Sequence, residues 1–236
     1  MIVYHTKNET LIPHTDFITV EQIEEIALQF NAKNKSDAFT AMGYAPSWDG
    51  DFLYLVSKLN GADYMEKGTS FTCNTESLSK TIEFFRNWTD SGNTDTVSEL
   101  NFQFKYLYMP KYKQISTDRC LFAYMPSNEY FAIPDYQAGI SFKWIVHDNT
   151  IPVEDDINMM GLYKGSKNLK SAEEFIAWFV QESTQSTLLN RTQKMELNNS
   201  SFGIAGGFSA LRNVNKAVYP RFYIQLLTHM PADNTI

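Results

Sequence analysis

Apolar and polar positions alternate between two periods along this chain, and the period sets the expected elements. The opening MIVYHT reads as a strand, and KNETLIPHTDFI as a polar, proline-bearing connection. A helix follows: Thr19 and Gln22 form a capping box, Ile23, Ile26, Ala27 and Phe30 share one face, and the helix stops near Asn31. AFTAMGYA is strand-like and ends at Pro46. SWDGDFLYLVSKLNG then places Phe52, Leu55, Val56 and Leu59 at helical spacing, with Asn60-Gly61 as the close.

MEKGTSFTCNTES predicts a hairpin or loop. SLSKTIEFFRNWT predicts a helix whose Leu78, Ile82, Phe85 and Trp88 face a core, with Gly92 as its stop. Thr96 and Glu99 make a second capping box before LNFQFKYLY. CLFAYM is a short continuous apolar run, as a strand buried on both faces would be, ISFKWIV is best read as a strand, and INMMGLY is a third such run. SAEEFIAWFVQE is an amphipathic helix with a third capping box at Ser171 and Glu174, which places Trp178 in the core. The tail LRNVNKAVYPRFYIQLLTHM is helical with a break before Pro220. Strands and helices alternate throughout, so the expectation is one α/β domain over residues 1–236, a mainly parallel or mixed sheet flanked by helices.

Composition narrows the function classes. The chain has 236 residues, 43% of them hydrophobic and 20% charged, enough for a sizeable core. Twenty Lys and Arg against 27 Asp and Glu give a net charge of −7, without the electrostatic footprint of a nucleic-acid binder. No stretch approaches the roughly 18 apolar residues of a membrane span, and the Met1 end has no export-signal pattern. Cys73 and Cys120 match no metal spacing and read either as two inert thiols or as a disulfide. The histidines His5, His14, His147 and His229 are scattered, and no metal or cofactor is expected; GxSxG, Walker A and GxGxxG are all missing.

The 17 Phe, 13 Tyr and 4 Trp are the distinctive feature, because they fall in clusters. Trp48 stands in a loop between a strand and a helix, either exposed to stack on a ligand or folded back onto the domain. Asp49 and Asp51 flank a helix start, where negative charge suits the macrodipole. The run Glu154, Asp155 and Asp156 reads as a solvated turn. Phe104-Lys105-Tyr106-Leu107-Tyr108, which has Tyr106 and Tyr108 on one face if extended, reads mainly as core. Tyr124-Met125-Pro126-Ser127-Asn128-Glu129-Tyr130 follows the end of a buried strand, where ligands of open α/β sheets collect, and offers hydroxyl, amide and carboxylate groups together. Phe202-Gly203-Ile204-Ala205-Gly206-Gly207-Phe208 lacks the lysine of a phosphate loop, and its glycines suit positive φ or close backbone approach.

Taken in order, these segments resemble family 1 of the extracellular solute-binding proteins, the receptors of sugar ABC importers that include maltose-binding protein. MIVYHTKNETLIPHTDFITVEQIEEIALQF is similar to the family's interlobe crossover and its Thr-Trp-Glu-Glu-Ile helix, with Val20 at the Trp. RCLFAYMPS is similar to the Gly-Lys-x-Ala-Met strand and its loop, LKSAEEFIAWFVQESTQSTLL to a late helix, and FGIAGGFSALRNVN to the pre-terminal loop of a sugar-binding lipoprotein subgroup. The resemblance implies a periplasmic-binding-protein-like type II lobe, the second lobe alone, with residues 1–15 as the crossover. It implies a non-catalytic carbohydrate-binding receptor, periplasmic or anchored at the cell surface as a lipoprotein in its full-length form. Its partners would be the carbohydrate ligand, the ABC permease subunits, a missing first lobe and a second copy met through the exposed cleft face. By position, Tyr44, Trp48, Asp49, Tyr124, Ser127, Asn128, Glu129 and Tyr130 would bind the sugar, with Gly206, Gly207 and Phe208 next. The rivals are a glycoside hydrolase using Asp49 or Asp51, and an interaction domain without a small ligand.

Overall fold

The computed structural model describes residues 1–133, 139–153, 157–197 and 201–231, so the carboxylate run Glu154, Asp155 and Asp156 lies outside the described residues. The sequence reads as one domain; the described residues pack as two compact units. The first holds residues 1–125 and 139–152, the second residues 126–133, 153, 157–197 and 201–231.

The first unit is built on a four-stranded mixed sheet. Strand β1 (Ile2–His5) lies between β7 (Phe122–Tyr124) and β8 (Ile140–Ile145) and is antiparallel to both, while β2 (Phe17–Ile18) adds to β8 in parallel. Val3 pairs with Ala123 on one side and Phe142 on the other. Every residue of 120–125 is buried, as the continuous apolar run requires. Helix α1 (Val20–Phe30) has the predicted capping box: Thr19 Oγ1 accepts from Gln22 N and the Gln22 side chain accepts from Thr19 N. Ile23 and Ala27 are buried against the sheet. At Gly43 the packing leaves no room for a side chain, because a Cβ there would overlap the backbone carbonyl of Ala27.

Two short two-stranded sheets decorate this unit: β3 (Ala32–Lys33) with β4 (Phe39–Ala41), and the expected hairpin of β5 (Met65–Lys67) with β6 (Ser70–Thr72). Helices α2 (Gly50–Leu59), α3 (Thr75–Ser91), α4 (Thr96–Lys105) and α5 (Lys111–Ser116) complete it. The core joins Ile2, Tyr4 and Phe122 of the sheet to Ile23, Tyr44, Phe52, Val56 and Trp88. Trp88 is buried as its helical stripe predicts, but Ile82 of the same stripe is exposed. The cap of α4 is also shifted by one residue: Asp95, not Thr96, accepts from Ser98 N. Tyr108 and Phe104, read mainly as core, point to solvent. Both cysteines are free thiols.

The second unit is helical among its described residues: α6 (Ser127–Phe131), α7 (Leu169–Phe179), α8 (Glu182–Lys194), a π-helical turn Val214–Val218, a 3-10 turn Tyr219–Arg221 and α9 (Leu226–His229). The widened turn stands just before Pro220, whose missing N–H and bulky ring disfavour regular α-helix there. Three expectations fail in this unit. Residues 157–163 form no strand and expose Ile157, Met159 and Tyr163, since no described strand of this unit offers an edge to pair with. Helix α7 starts after Asn168 without a side-chain cap, so Ser171 lies inside it. Trp178 is half-exposed: it packs against Phe175 on its own helix and not into a core. No helix among the described residues is long and apolar enough to cross a membrane.

Candidate functional site

In the first unit, Tyr44, Trp48 and Asp49 come together around the 3-10 turn Pro46–Trp48, which Pro46 starts with its fixed φ. Of the two placements open to Trp48, exposed for a ligand or folded back onto the domain, the structure has the second, with the ring half-buried. Helix α4 crosses the turn, so Trp48 stacks on Phe102 with ring centroids 5.8 Å apart and planes 9° from parallel. Its indole N–H donates to the carbonyl of Glu99 at 3.0 Å, and the Gln103 amide donates to the carbonyl of Trp48 at 3.0 Å. Asp49 is the N-cap of α2: Oδ1 accepts from the backbone N–H groups of Asp51 and Phe52, and Oδ2 faces Lys111 Nζ at 3.2 Å. Lys111 donates in turn to the carbonyl of Tyr124 at 2.9 Å. Both carboxylate oxygens of Asp49 are therefore engaged in holding the helix and the sheet end.

Burial dominates the electrostatics here. The Tyr44 hydroxyl is pushed well above the usual tyrosine range by desolvation, with Asp49 adding to it. That hydroxyl is buried without a hydrogen-bond partner among the described residues. Burial pushes the Cys120 thiol up to about 12, which makes it inert as a nucleophile. Glu99 was not a candidate, yet it is the one buried carboxylate of the unit's described residues. Its Oε2 accepts from Ser47 Oγ at 2.5 Å. Burial raises its pKa, partly offset by hydrogen bonds from Ser47 and Thr89. Glu99 and Phe102 share one face of α4 at i and i+3, the signal by which the contact is found in the sequence. Tyr124 is buried in β7, its ring against Phe52. This cluster is a joint between helices, with its aromatic faces already used.

The second unit gathers the other candidates. Tyr130 and Phe131 of α6 are buried, and Phe131 stacks on Phe202 with centroids 4.5 Å apart. Phe208, Tyr219 and Tyr223 close an aromatic cluster around Phe202. The glycine-rich loop wraps this cluster. Gly203 N donates to the Tyr223 hydroxyl at 2.8 Å, and the Tyr219 hydroxyl donates to the carbonyl of Gly207 at 2.9 Å. Gly203 has φ +65°, and a Cβ on it would overlap the Gly207 carbonyl; Gly206 has φ +84° beside open space. Burial pushes the Tyr219 hydroxyl up to about 12.

Above the cluster lies a pocket of about 400 Å³ lined by Pro126, Asn128, Glu129, Ser201, Phe202 and Gly206. Of the sequence candidates it brings together Asn128, Glu129 and Gly206. Ser127 and Tyr130 are not in its lining, and Gly207 and Phe208 serve the aromatic cluster. Ser201 is missed by one residue, standing just before the glycine-rich segment, while Pro126 and Phe202 lie inside the two chosen segments without being singled out as ligand contacts. Asn128 Oδ1 accepts from Glu129 N at 2.8 Å, which orients the amide N–H₂ away from that bond. Asn158 ties the far side of the loop down by donating to Ala205 O at 2.9 Å. No protein-family model, curated protein or solved structure matches this chain. The pocket is therefore read from its own groups: an amide, a carboxylate and a hydroxyl over a rigid aromatic floor, without a cluster of three metal-binding side chains among the described residues.

Proposed function

We propose that this chain is a carbohydrate-binding receptor component of an ABC importer, non-catalytic, with the pocket of the second unit as its sugar site. The observation that carries the reading is the convergence of Asn128, Glu129 and Ser201, from segments about 70 residues apart, on one pocket of about 400 Å³. Amide, carboxylate and hydroxyl groups are the partners that sugar hydroxyls use, and small-ligand sites carry a few such anchors in a pre-formed cleft. Glycoside hydrolysis uses two carboxyl groups facing each other across the bond, whereas this lining supplies one, Glu129. On this reading the mixed α/β sheet and its helices are a type II periplasmic-binding-protein-like lobe, the second of two, that works with a first lobe and permease subunits at the periplasmic or outer cell surface.

Within the second unit, Tyr130, Phe131 and Phe202 are buried against one another and against Tyr223, so recognition rests on hydrogen bonds more than on stacking. A pocket open on one side gives weak binding, about 4 kcal/mol or a millimolar dissociation constant. Protein-observed NMR titration with a panel of mono- and oligosaccharides tests it: saturable shifts at residues 126–129 and 201–206, lost in Glu129→Gln and Asn128→Ala, are expected. Absence of saturable binding across the panel overturns the reading, as does release of new reducing ends from an oligosaccharide.

A further inference from the structure

Helix α4 carries its apolar residues on the wrong side for a simple surface helix. Glu99 and Phe102 face inward and are buried, as a core-facing stripe requires. Yet Val97, Leu100 and Phe104, with Leu107 and Tyr108 in the turn that follows, stand on the opposite face at spacings of three, four, three and one. That is the i, i+3, i+7 pattern of a buried helix surface, here turned to solvent: Val97 is 68% exposed, Phe104 73% and Tyr108 97%.

The area is what decides its meaning. An aromatic side chain presents about 150–250 Å² and an aliphatic one less, so the five expose on the order of 600 Å² together. A monomer's largest apolar patch is about 300–600 Å² and often functional, and each partner of a standard interface gives about 800 Å². One helix face with its flanks thus supplies most of one side of a stable interface.

We propose that this face is a two-fold interface with a second copy of the same chain, α4 packed antiparallel on α4. Its charges favour that partner and that direction. The negative end carries Asp95 at the N-cap and the positive end carries Lys105, both exposed. Antiparallel pairing sets Asp95 of each chain near Lys105 of the other and aligns the helix dipoles favourably. A self-complementary patch of this kind closes on itself as a dimer. The proposal is independent of the carbohydrate site, which lies on the other unit.

Sedimentation equilibrium of the full chain from low to high micromolar concentration tests it. The expected result is a monomer–dimer equilibrium, with the dimer weakened roughly 30-fold or more by Phe104→Glu. Circular dichroism checks that the variant is folded. A second measurement does not depend on that variant: Asn101→Cys in a Cys73→Ser background sits near the centre of the stripe, and mild oxidation joins it to its own copy. Asn34→Cys, exposed on another part of the unit, serves as the control. A chain that stays monomeric, a dimer indifferent to Phe104→Glu, or an Asn101→Cys crosslink no faster than the control overturns the proposal, including the case in which a different protein covers this face.

Discussion

The indole N–H of Trp48 donates to the backbone carbonyl of Glu99, while the side chain of the same Glu99 accepts from Ser47, one residue before Trp48. One residue of α4 thus grips two consecutive residues of the turn, through main chain and side chain together. The turn that looks from the sequence like an open ligand loop is fixed to the body of its unit.

Trp48→Ala therefore removes a stacked ring and a hydrogen bond. It should cost about 2 to 3 kcal/mol, below the 3–5 of a fully buried Trp because Trp48 is half-buried. Trp178→Ala, on the half-exposed side of α7, should cost under about 1 kcal/mol. Urea unfolding of the two variants checks the order, which is the reverse of what the loop and helix positions suggest; equal costs would contradict the packing described.

Glu99 predicts a pH dependence. Burial raises its pKa above the ordinary glutamate value of 4.5, so the folded chain holds this proton more tightly than the unfolded chain does. Its contribution to stability is fully present below 4.5 and is lost as pH rises through the raised folded value. Glu99→Gln keeps an acceptor for Ser47 and has no proton to lose. Its stability relative to the wild type should rise across that window and level off above it. Unfolding free energies measured at a series of pH values test this, and a difference constant with pH would refute it.

Tyr44→Phe should stabilise the chain by about 1 kcal/mol, because the hydroxyl it removes is buried without a partner. The same variant should leave sugar titration at the second unit unchanged. Destabilisation measured by thermal melting would mean that the hydroxyl is satisfied in solution.

At Gly203, alanine meets both an unfavourable positive φ and the Gly207 carbonyl. Gly203→Ala should cost about 2 to 3 kcal/mol and abolish the pocket's sugar response. Gly206→Ala, at a positive φ but facing open space, should cost about 1 kcal/mol and keep the fold around Phe202. Chemical denaturation and the same titration separate the two; equal costs would show that the overlap at Gly203 relaxes freely.

What the sequence discloses is what short stretches decide for themselves. Thr19 and Gln22 are legible as a capping box because both bonds close within one turn. The apolar run at 120–125 is legible because nothing but burial on both faces suits it. Asp95 and Thr96 are adjacent and both suit an N-cap, so the one-residue difference that turns Glu99 inward escapes local reading. The stripe on α7 states that a face exists, not what covers it, and Trp178 stays half-exposed. The pocket was half-legible: Asn128, Glu129 and Gly206 carry polar or backbone chemistry in marked segments, but Ser201 joins them only through the stacking of Phe131 on Phe202 across 71 residues of chain.

Strand β1 has a consequence for the order of events during synthesis. It is an inner strand of the sheet, and its partners, residues 122–124 and 140–145, are synthesised long after it. Residues 2–5 must wait, extended and apolar, until more than a hundred further residues have emerged. Closing so large a loop before any pairing rewards it makes sheet assembly a late and slow step. The unpaired strand is the segment that a holding chaperone has most reason to cover in the meantime.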